Sequence, residues 1–329
     1  MVDSRKKIIL IRLDKIGDLI STLPVDQILD DTKYDVAWVV QKGMGAVVDL
    51  GVQKRSYIEL DKSNPKESAE KLRGFLKAFK PEVAISFQGP WWINFELFKA
   101  GVKTRSGVYS QWHSFLFLNE GLRQSRSKAE KHEFDYNKDL LLKTLNLKDD
   151  RRFHFFEITK PNDFSLLQKF NLTVKNYIVV HPGMMGSALN WSQAKYIDYI
   201  QKQIDQNETV AITGTQADEP YLTDIKTKFE NHPQVRWLQN QLNLKELVSI
   251  LAESKKVVAP STGVAHIAAS VGADVHGIYS PVRVHHPRRW APRGPNVTVY
   301  LPDGIYPTQS NQTENKDIDP LVMNKISIT

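Results

Sequence analysis

The sequence predicts an α/β protein made of two Rossmann-like, doubly wound domains facing a cleft. Three observations carry this expectation. Short apolar runs alternate with helix-patterned segments in both halves, the rhythm of parallel sheets with helical crossovers. The chain has 329 residues, enough for two ordinary domains. In each half, strands run into glycine-containing loops that open helices, where α/β proteins place their chemistry. The halves repeat an architecture, not a sequence. The expected boundaries are an N-terminal domain over 1–160, a linker over 161–174 and a C-terminal domain over 175–329.

The first half begins with Ile8–Leu13, whose four consecutive apolar residues, Ile8 to Ile11, fit a strand buried on both faces. A polar loop with Gly17 and Asp18 follows, then helix-like apolar spacing over Leu19–Leu29. Further strands are expected at Asp35–Val40, Tyr57–Leu60 and Glu82–Phe87, and a helix at Lys66–Phe79 closed by Pro81. From Gln88 to Asn137 the rhythm breaks. Trp91, Trp92, Phe95, Phe98, Tyr109, Trp112, Phe115 and Phe117 interleave there with basic residues. Such a segment suits an amphiphilic, anionic partner, or a helical pair packed on its own domain. Most of the aromatics are expected in the core, and the basic residues from Arg123 to Lys131 at the surface.

A helix over Phe134–Leu145 and a polar connection lead into the second half. Strands are expected at Tyr177–His181, Thr209–Thr213, Val235–Leu238, Lys256–Ala259, Val275–Tyr279 and Val297–Leu301. Helices are expected at Ser192–Ile204, Glu219–Phe229, Leu244–Ser254 and Gly263–Val271. The tail from Asp303 is polar and expected to be irregular up to a last short segment near Pro320–Ile328.

Composition narrows the function. Hydrophobic residues make up 41% and charged residues 25%, as in soluble globular proteins. No apolar run approaches a membrane span, and MVDSRKK is not followed by a signal-peptide core. The chain has no cysteine, which removes disulfides and thiolate metal sites and fits a cytoplasmic location. Its net charge of +7 suits an anionic partner: nucleotide, phosphorylated glycan or membrane surface. No zinc-finger or RNP signature is present, so nucleic acid is not expected.

Five constellations could carry chemistry. Asp18, after Gly17, either points a carboxylate into a cleft or caps its helix. The loop His181-Pro182-Gly183-Met184-Met185-Gly186-Ser187, with Asn190 and Trp191 beyond, gives backbone amides room to approach a phosphate; Ser192 is a credible N-cap. Pro260-Ser261-Thr262-Gly263 opens a helix whose positive end suits an anion, with His266 one turn in. The alternative there is an ordinary capped helix with a buried, satisfied histidine. Thr213-Gly214-Thr215, followed by Asp218 and Glu219, could hold ribose hydroxyls or start a helix. Lastly, Arg283, His285, His286, Arg288 and Arg289 form a proline-stiffened basic loop, which favours phosphate or acceptor binding over metal.

In this order, these motifs resemble glycosyltransferase family 9, the ADP-heptose:lipopolysaccharide heptosyltransferases of GT-B fold. The resemblance rests on Ile8–Pro24, the His181–Trp191 loop, Gly214 with its following acid, Leu242–Leu247 and Ser261–Ala269. It implies inverting, metal-independent transfer without a cofactor, with Asp18 deprotonating the acceptor hydroxyl. The donor phosphates would lie at Gly183, Ser187, Asn190, Ser261, Thr262, Gly263 and His266. The nucleoside would lie near Thr213, Gly214, Asp218, Glu219 and Leu242. The acceptor, a phosphorylated lipid-linked glycan at the cytoplasmic face of the inner membrane, would meet Arg105, Arg123, Arg126, Lys131, Arg283, His285 and Arg288. Two departures stand out: Asn190 where many members carry lysine, and Ser261 where many carry aspartate. The alternatives are a nucleotide-sugar epimerase of the same architecture and a non-catalytic nucleotide-sugar or glycan-binding protein.

Overall fold

The computed structural model describes residues 5–110, 112–149, 154–161, 164–184, 186, 188–308 and 318–328. The chain forms two compact units. One comprises Met1–Arg126 with Glu133–Phe156, the other Ser127–His132 with Glu157–Thr329.

The first unit runs β1 (Lys6–Arg12), α1 (Ile16–Thr22), β2 (Tyr34–Gln41), α2 (Gly45–Asp49), β3 (Ser56–Leu60), α3 (Pro65–Phe79), β4 (Val83–Gln88), α4 (Trp91–Lys99), β5 (Thr104–Val108), α5 (Trp112–Phe117), β6 (Glu120–Leu122) and α6 (Glu133–Leu145). Its sheet has the order β3-β2-β1-β4-β5-β6, with every pairing parallel. β1 is central because Ile8 to Ile11 are fully buried, each contributing about 1.5–3 kcal/mol of burial. Ile9 and Ile11 pack with Leu72, Leu76, Ile93 and Leu97 of α3 and α4.

Two sequence expectations change here. The segment after Gln88 does not leave the sheet, since β5 and β6 extend it. They lack an apolar signature because the backbones crowd together. A Cβ at Gly107 would lie 3.1 Å from Ser86 O, and one at Gly121 2.2 Å from Gly107 O. Small residues are required where apolar ones would have marked a strand. The helix expected over Leu19–Leu29 also divides, ending at Thr22 and continuing as a 3₁₀ turn, Leu23–Ile28. Pro24 has no N–H to donate and its ring would clash with the preceding turn of an α-helix.

The second unit runs α7 (Ser165–Lys169), β7 (Tyr177–Val180), α8 (Gln193–Asp205), β8 (Thr209–Ile212), α9 (Thr223–Phe229), β9 (Val235–Trp237), α10 (Leu244–Ala252), β10 (Lys256–Pro260), α11 (Gly263–Ser270), β11 (Val275–Ile278), α12 (Pro287–Trp290), β12 (Val297–Leu301) and β13 (Gly304–Ile305). The sheet order is β13-β12-β11-β10-β7-β8-β9, parallel except for the last hairpin, β12 to β13. Residues 164–174, within the expected linker, belong to this unit and bury Leu167, Phe170 and Leu172. The tail is not irregular throughout: β13 pairs with β12, and Met323, Ile326 and Ile328 close the core over Tyr196, Ile200 and Phe229.

Candidate active site

Each sheet reverses its winding beside its first strand, between β1 and β4 and between β7 and β10. Crossovers leave in opposite directions at such a point, so the loops after the strands part and leave a crevice at the carboxyl ends. The Gly17–Asp18 loop falls at the first of these places and the His181 and Ser261 loops at the second, while the Thr213 and Arg283 loops follow the neighbouring strands β8 and β11.

In the first unit, β1 ends on Arg12, whose side chain is 3% exposed. Its Nη2 donates to Asp18 Oδ1 at 2.7 Å and its Nη1 to Glu133 Oε1 at 2.9 Å. Nε lies 3.1 Å from Asp14 Oδ2, an ion pair not aligned as a hydrogen bond. Glu133, fully buried at the start of α6, also accepts from Arg126 Nη1 at 2.7 Å. Burial alone would lower the pKa of Arg12, but the charges of Glu133, Asp18 and Asp14 outweigh it and raise it. Burial raises Asp14 above the usual carboxylate range despite Arg12 beside it.

Asp18 is not the cap of its helix. Lys15 occupies that position, and no side chain caps α1. The Asp18 carboxylate sits in the first turn, a quarter exposed, with Oδ1 held by Arg12 and Oδ2 unbonded among the described residues. Its backbone is held too. Thr22 Oγ1 donates to Asp18 O at 2.7 Å, and Asn137 Nδ2 of α6 donates to Thr22 Oγ1 at 3.0 Å. The result is an oriented carboxylate with one lone-pair-bearing oxygen left for a proton.

Beside it, past β4 and β5, Ser86, Gln88, Asn94, Ser110, His113 and Ser114 line a small polar cavity. Asn94 is buried; its Nδ2 is 3.2 Å from His113 Nδ1, while its Oδ1 has no hydrogen-bond partner. Burial lowers the pKa of His113. Sequence reasoning missed both this cavity and the Arg12–Glu133 pair. An arginine ending an apolar strand was a visible signal, whereas Glu133 lies 121 positions away.

In the second unit, the loops after β7, β8 and β10 share one edge. His181 is buried, and its Nδ1 is 3.0 Å from Thr213 Oγ1; burial lowers its pKa. Gly183 is needed for packing: a Cβ there would lie 2.2 Å from Asp218 Cγ. Asn190 spends its amide on the protein. Nδ2 donates to Pro182 O at 2.9 Å, and Oδ1 accepts from Tyr196 Oη at 2.9 Å and Trp191 N at 2.8 Å. It pins the loop where a lysine would have carried charge. Ser192 caps α8 as expected, accepting from Lys195 N. Ser187 lies outside the described residues.

Asp218 is likewise internal. It is buried, and its Oδ2 accepts from Thr215 N at 2.9 Å and Thr215 Oγ1 at 2.8 Å, closing a capping box. Glu219 is half-buried and accepts from Gln239 Nε2. Gly214 lies under Leu222, and its O accepts from Asn240 N. Leu242, half-buried, precedes the capping residue of α10, Asn243. These residues frame a surface at the ends of β8 and β9, with Glu219 the more accessible acid.

At α11 the helix-cap expectation meets a correction. Thr262 stands at the cap position, but its side chain makes no capping hydrogen bond, and its buried Oγ1 is unpartnered. The amides of Gly263, Val264 and Ala265, the free N–H groups of a positive helix end, have no acceptor among the described residues. Ser261 hydrogen-bonds Tyr279, and His266 is buried one turn in. The loop after β11 flanks this end. His286 Nδ1 accepts from Arg288 N at 3.1 Å, and Trp290 Nε1 donates to Val284 O at 2.9 Å. Burial and the charge of Arg288 push His286 down to about 4. Arg288 is exposed, while Arg283 and His285 are half-buried.

Two residues expected at an acceptor are occupied otherwise. Arg105 Nε donates to Phe117 O at 2.7 Å and its Nη1 to Val102 O at 2.5 Å. Arg126 binds Gln124 and Glu133. Carbonyls and carboxylates at these distances hold the guanidinium planes in place. Arg123 and Lys131 are exposed.

Two doubly wound parallel sheets of this kind are the architecture of GT-B glycosyltransferases. The model of glycosyltransferase family 9 (heptosyltransferase) matches residues 71–319, and the chain belongs to that family. It is 27% identical over 299 residues to a Haemophilus influenzae protein provisionally described as a glycosyltransferase, covering 87% of this chain and 86% of that one. Its fold is similar to that of a family 9 glycosyltransferase from Veillonella parvula, with a TM-score of 0.77 and 16% identity, covering 91% and 87% of the two chains. It is also similar to Escherichia coli ADP-heptose lipopolysaccharide heptosyltransferase II, with a TM-score of 0.71, 16% identity and 97% of both chains covered. E. coli heptosyltransferase WaaC, solved with ADP, matches with a TM-score of 0.63 and 17% identity over 88% and 91% of the chains.

Proposed function

We propose that this glycosyltransferase moves a heptose from ADP-heptose to a phosphorylated, lipid-linked glycan at the cytoplasmic face of a membrane, with inversion and without a metal. The observation that carries the reading is the Asp18 carboxylate, oriented through Oδ1 by Arg12 and open at Oδ2. Asp18 takes the proton of the acceptor hydroxyl as that oxygen attacks the anomeric carbon. The bond from that carbon to the diphosphate breaks, and ADP leaves with the electron pair. The free amides of Gly263, Val264 and Ala265 meet the leaving charge, so the negative diphosphate finds donors fixed before it arrives. Arg288, with Arg283 and His285, adds positive charge at the same edge. Glu219 and Leu242 frame the ribose and base.

The test combines thermal stability and turnover. Bound nucleotide raises the unfolding midpoint by mass action. We expect ADP to stabilise the protein more than UDP, GDP or CMP, and equally with or without magnesium. Asp18→Asn keeps that shift and loses transfer by about 10²–10⁴-fold, the contribution of a general base. A preference for UDP would overturn the donor, and full activity in Asp18→Asn would overturn the mechanism.

A further inference from the structure

The outer face of the first unit carries an unusual surface. Among the described residues, five aromatic side chains from large apolar residues are exposed, and four of them, Trp91, Phe98, Trp112 and Phe115, lie on α4 and α5. Leu116 adjoins them, 63% exposed. The arrangement is continuous. Trp91, Phe95 and Phe98 fall on one stripe of α4 while Trp92, Ile93 and Leu97 go to the core. Trp91 stacks towards Trp112 at 6.3 Å between centroids, and Phe117 bridges Phe95 and Phe98 at 5.3 and 5.9 Å. A layer of this kind, kept in water, marks an interaction surface.

Its rim decides what it meets. Lys99 lies over Phe95, Arg105 over Phe98 and Arg123 over Phe115, and Lys103 is exposed beside them. Between 91 and 123 only Glu96 and Glu120 are acidic. Glu96 is buried against Arg73, and Glu120 is paired with Lys143. No acid of this stretch is therefore left to offset the rim. Aromatic side chains settle at the headgroup level of bilayers, and lysine and arginine are drawn to anionic leaflets. A second copy of the chain, docking the same patch by two-fold symmetry, would set these cations against each other. No helix among the described residues is long and apolar enough to cross a membrane, so the contact is one of surface.

We infer that the exposed face of α4 and α5 docks on an anionic lipid bilayer, inserting Trp112, Phe115 and Leu116 at headgroup depth with Lys99 and Lys103 on the lipid phosphates. The inference deepens the proposed function and rests on it for the reason a bilayer is present. α5 follows the carboxyl end of β5, and Trp91 that of β4, on the same edge of the sheet as Asp18. An acceptor anchored in that bilayer would present its glycan to the edge where the base stands.

The experiment is co-sedimentation of the full chain with vesicles of phosphatidylethanolamine and phosphatidylglycerol, against vesicles of phosphatidylcholine alone. We expect binding to the first, a blue shift of tryptophan emission, and release at high salt. Trp112→Ser with Leu116→Ser should weaken partitioning by at least about tenfold, and Lys99→Glu with Lys103→Glu by as much. These side chains are exposed, and an unchanged unfolding midpoint shows that the variants fold. Equal binding to both vesicle types, or unchanged binding by the Trp112 and Leu116 variant, would overturn the inference. So would self-association that this variant abolishes, seen by light scattering. The ADP shift on the same preparation separates the two readings: ADP binding without vesicle binding overturns only this surface, and vesicle binding without ADP binding only the donor assignment.

Discussion

Arg12 decides more than any other single residue in the first unit. It faces Glu133, Asp18 and Asp14 from a site that is nearly dry. Removing one partner of a buried ion pair leaves the other charge without solvent or counter-charge, at a cost of about 3–5 kcal/mol. Arg12→Met should therefore lower stability by that order in urea unfolding followed through first-unit tryptophans, and Glu133→Gln in the same chain should restore part of the loss. Additive losses from the two substitutions would sink the coupling. His286 sets a pH dependence in the second unit. Burial and the charge of Arg288 push it down to about 4 from the ordinary imidazole value of 6.5, so the fold holds the neutral ring. The stability this contributes is complete above about 6.5 and is lost as pH falls towards 4. Unfolding midpoints measured across that window should decline in the native chain and decline less in His286→Asn. Parallel profiles would show that the ring does not carry the effect.

Elements differ in how plainly the sequence displays them, and burial explains the difference. Strands such as β1 and β7, covered on both faces, must be continuously apolar, so Ile8–Ile11 and Tyr177–Val180 are visible as runs. β5 and β6 meet backbone to backbone through Gly107 and Gly121, and close approach erased the apolar pattern that marks a strand. The aromatics after Gln88 misled in the opposite direction. Of the eight expected mostly in the core, only Trp92 is buried, because α4 and α5 turn most of the others outward. At the site, the loops were legible because glycine and small polar residues at strand ends have few other uses. Asn190, Gly183 and Asp218 were expected at the site; that Asn190 holds Pro182 O, that Asp218 closes a capping box on Thr215 and that Gly183 packs against Asp218 of the next loop was not legible in the sequence. α11 gives the element-scale prediction. Thr262 leaves its helix uncapped, so Thr262→Asp should cap it and stabilise the second unit by about 0.5–2 kcal/mol. The same carboxylate would stand against the diphosphate and weaken ADP binding by about tenfold or more. Calorimetric titration beside thermal unfolding checks both signs. If affinity rises with stability, the diphosphate does not lie at this helix end.

At the scale of the whole molecule, the proposed function divides the labour between two units of the same winding, each with one chemical element at the carboxyl edge. The first offers an oriented carboxylate, and the second offers free amides beside a basic loop. Arg12, which orients Asp18, and Glu133, which holds Arg12, both belong to the first unit. A ligand that binds the folded state raises the free energy of every local opening that breaks its site, by about 2.7 kcal/mol at a hundredfold excess over its Kd. ADP alone should therefore slow amide exchange in the second unit, at 181–184, 213–219 and 263–266, by about two orders of magnitude. It should leave β1 and α1 unchanged. Adding a glycan acceptor should then protect α1 around Asp18. Protection of α1 by ADP alone would place the nucleotide on the unit that holds the base, and the division of labour between the two sheets would be wrong.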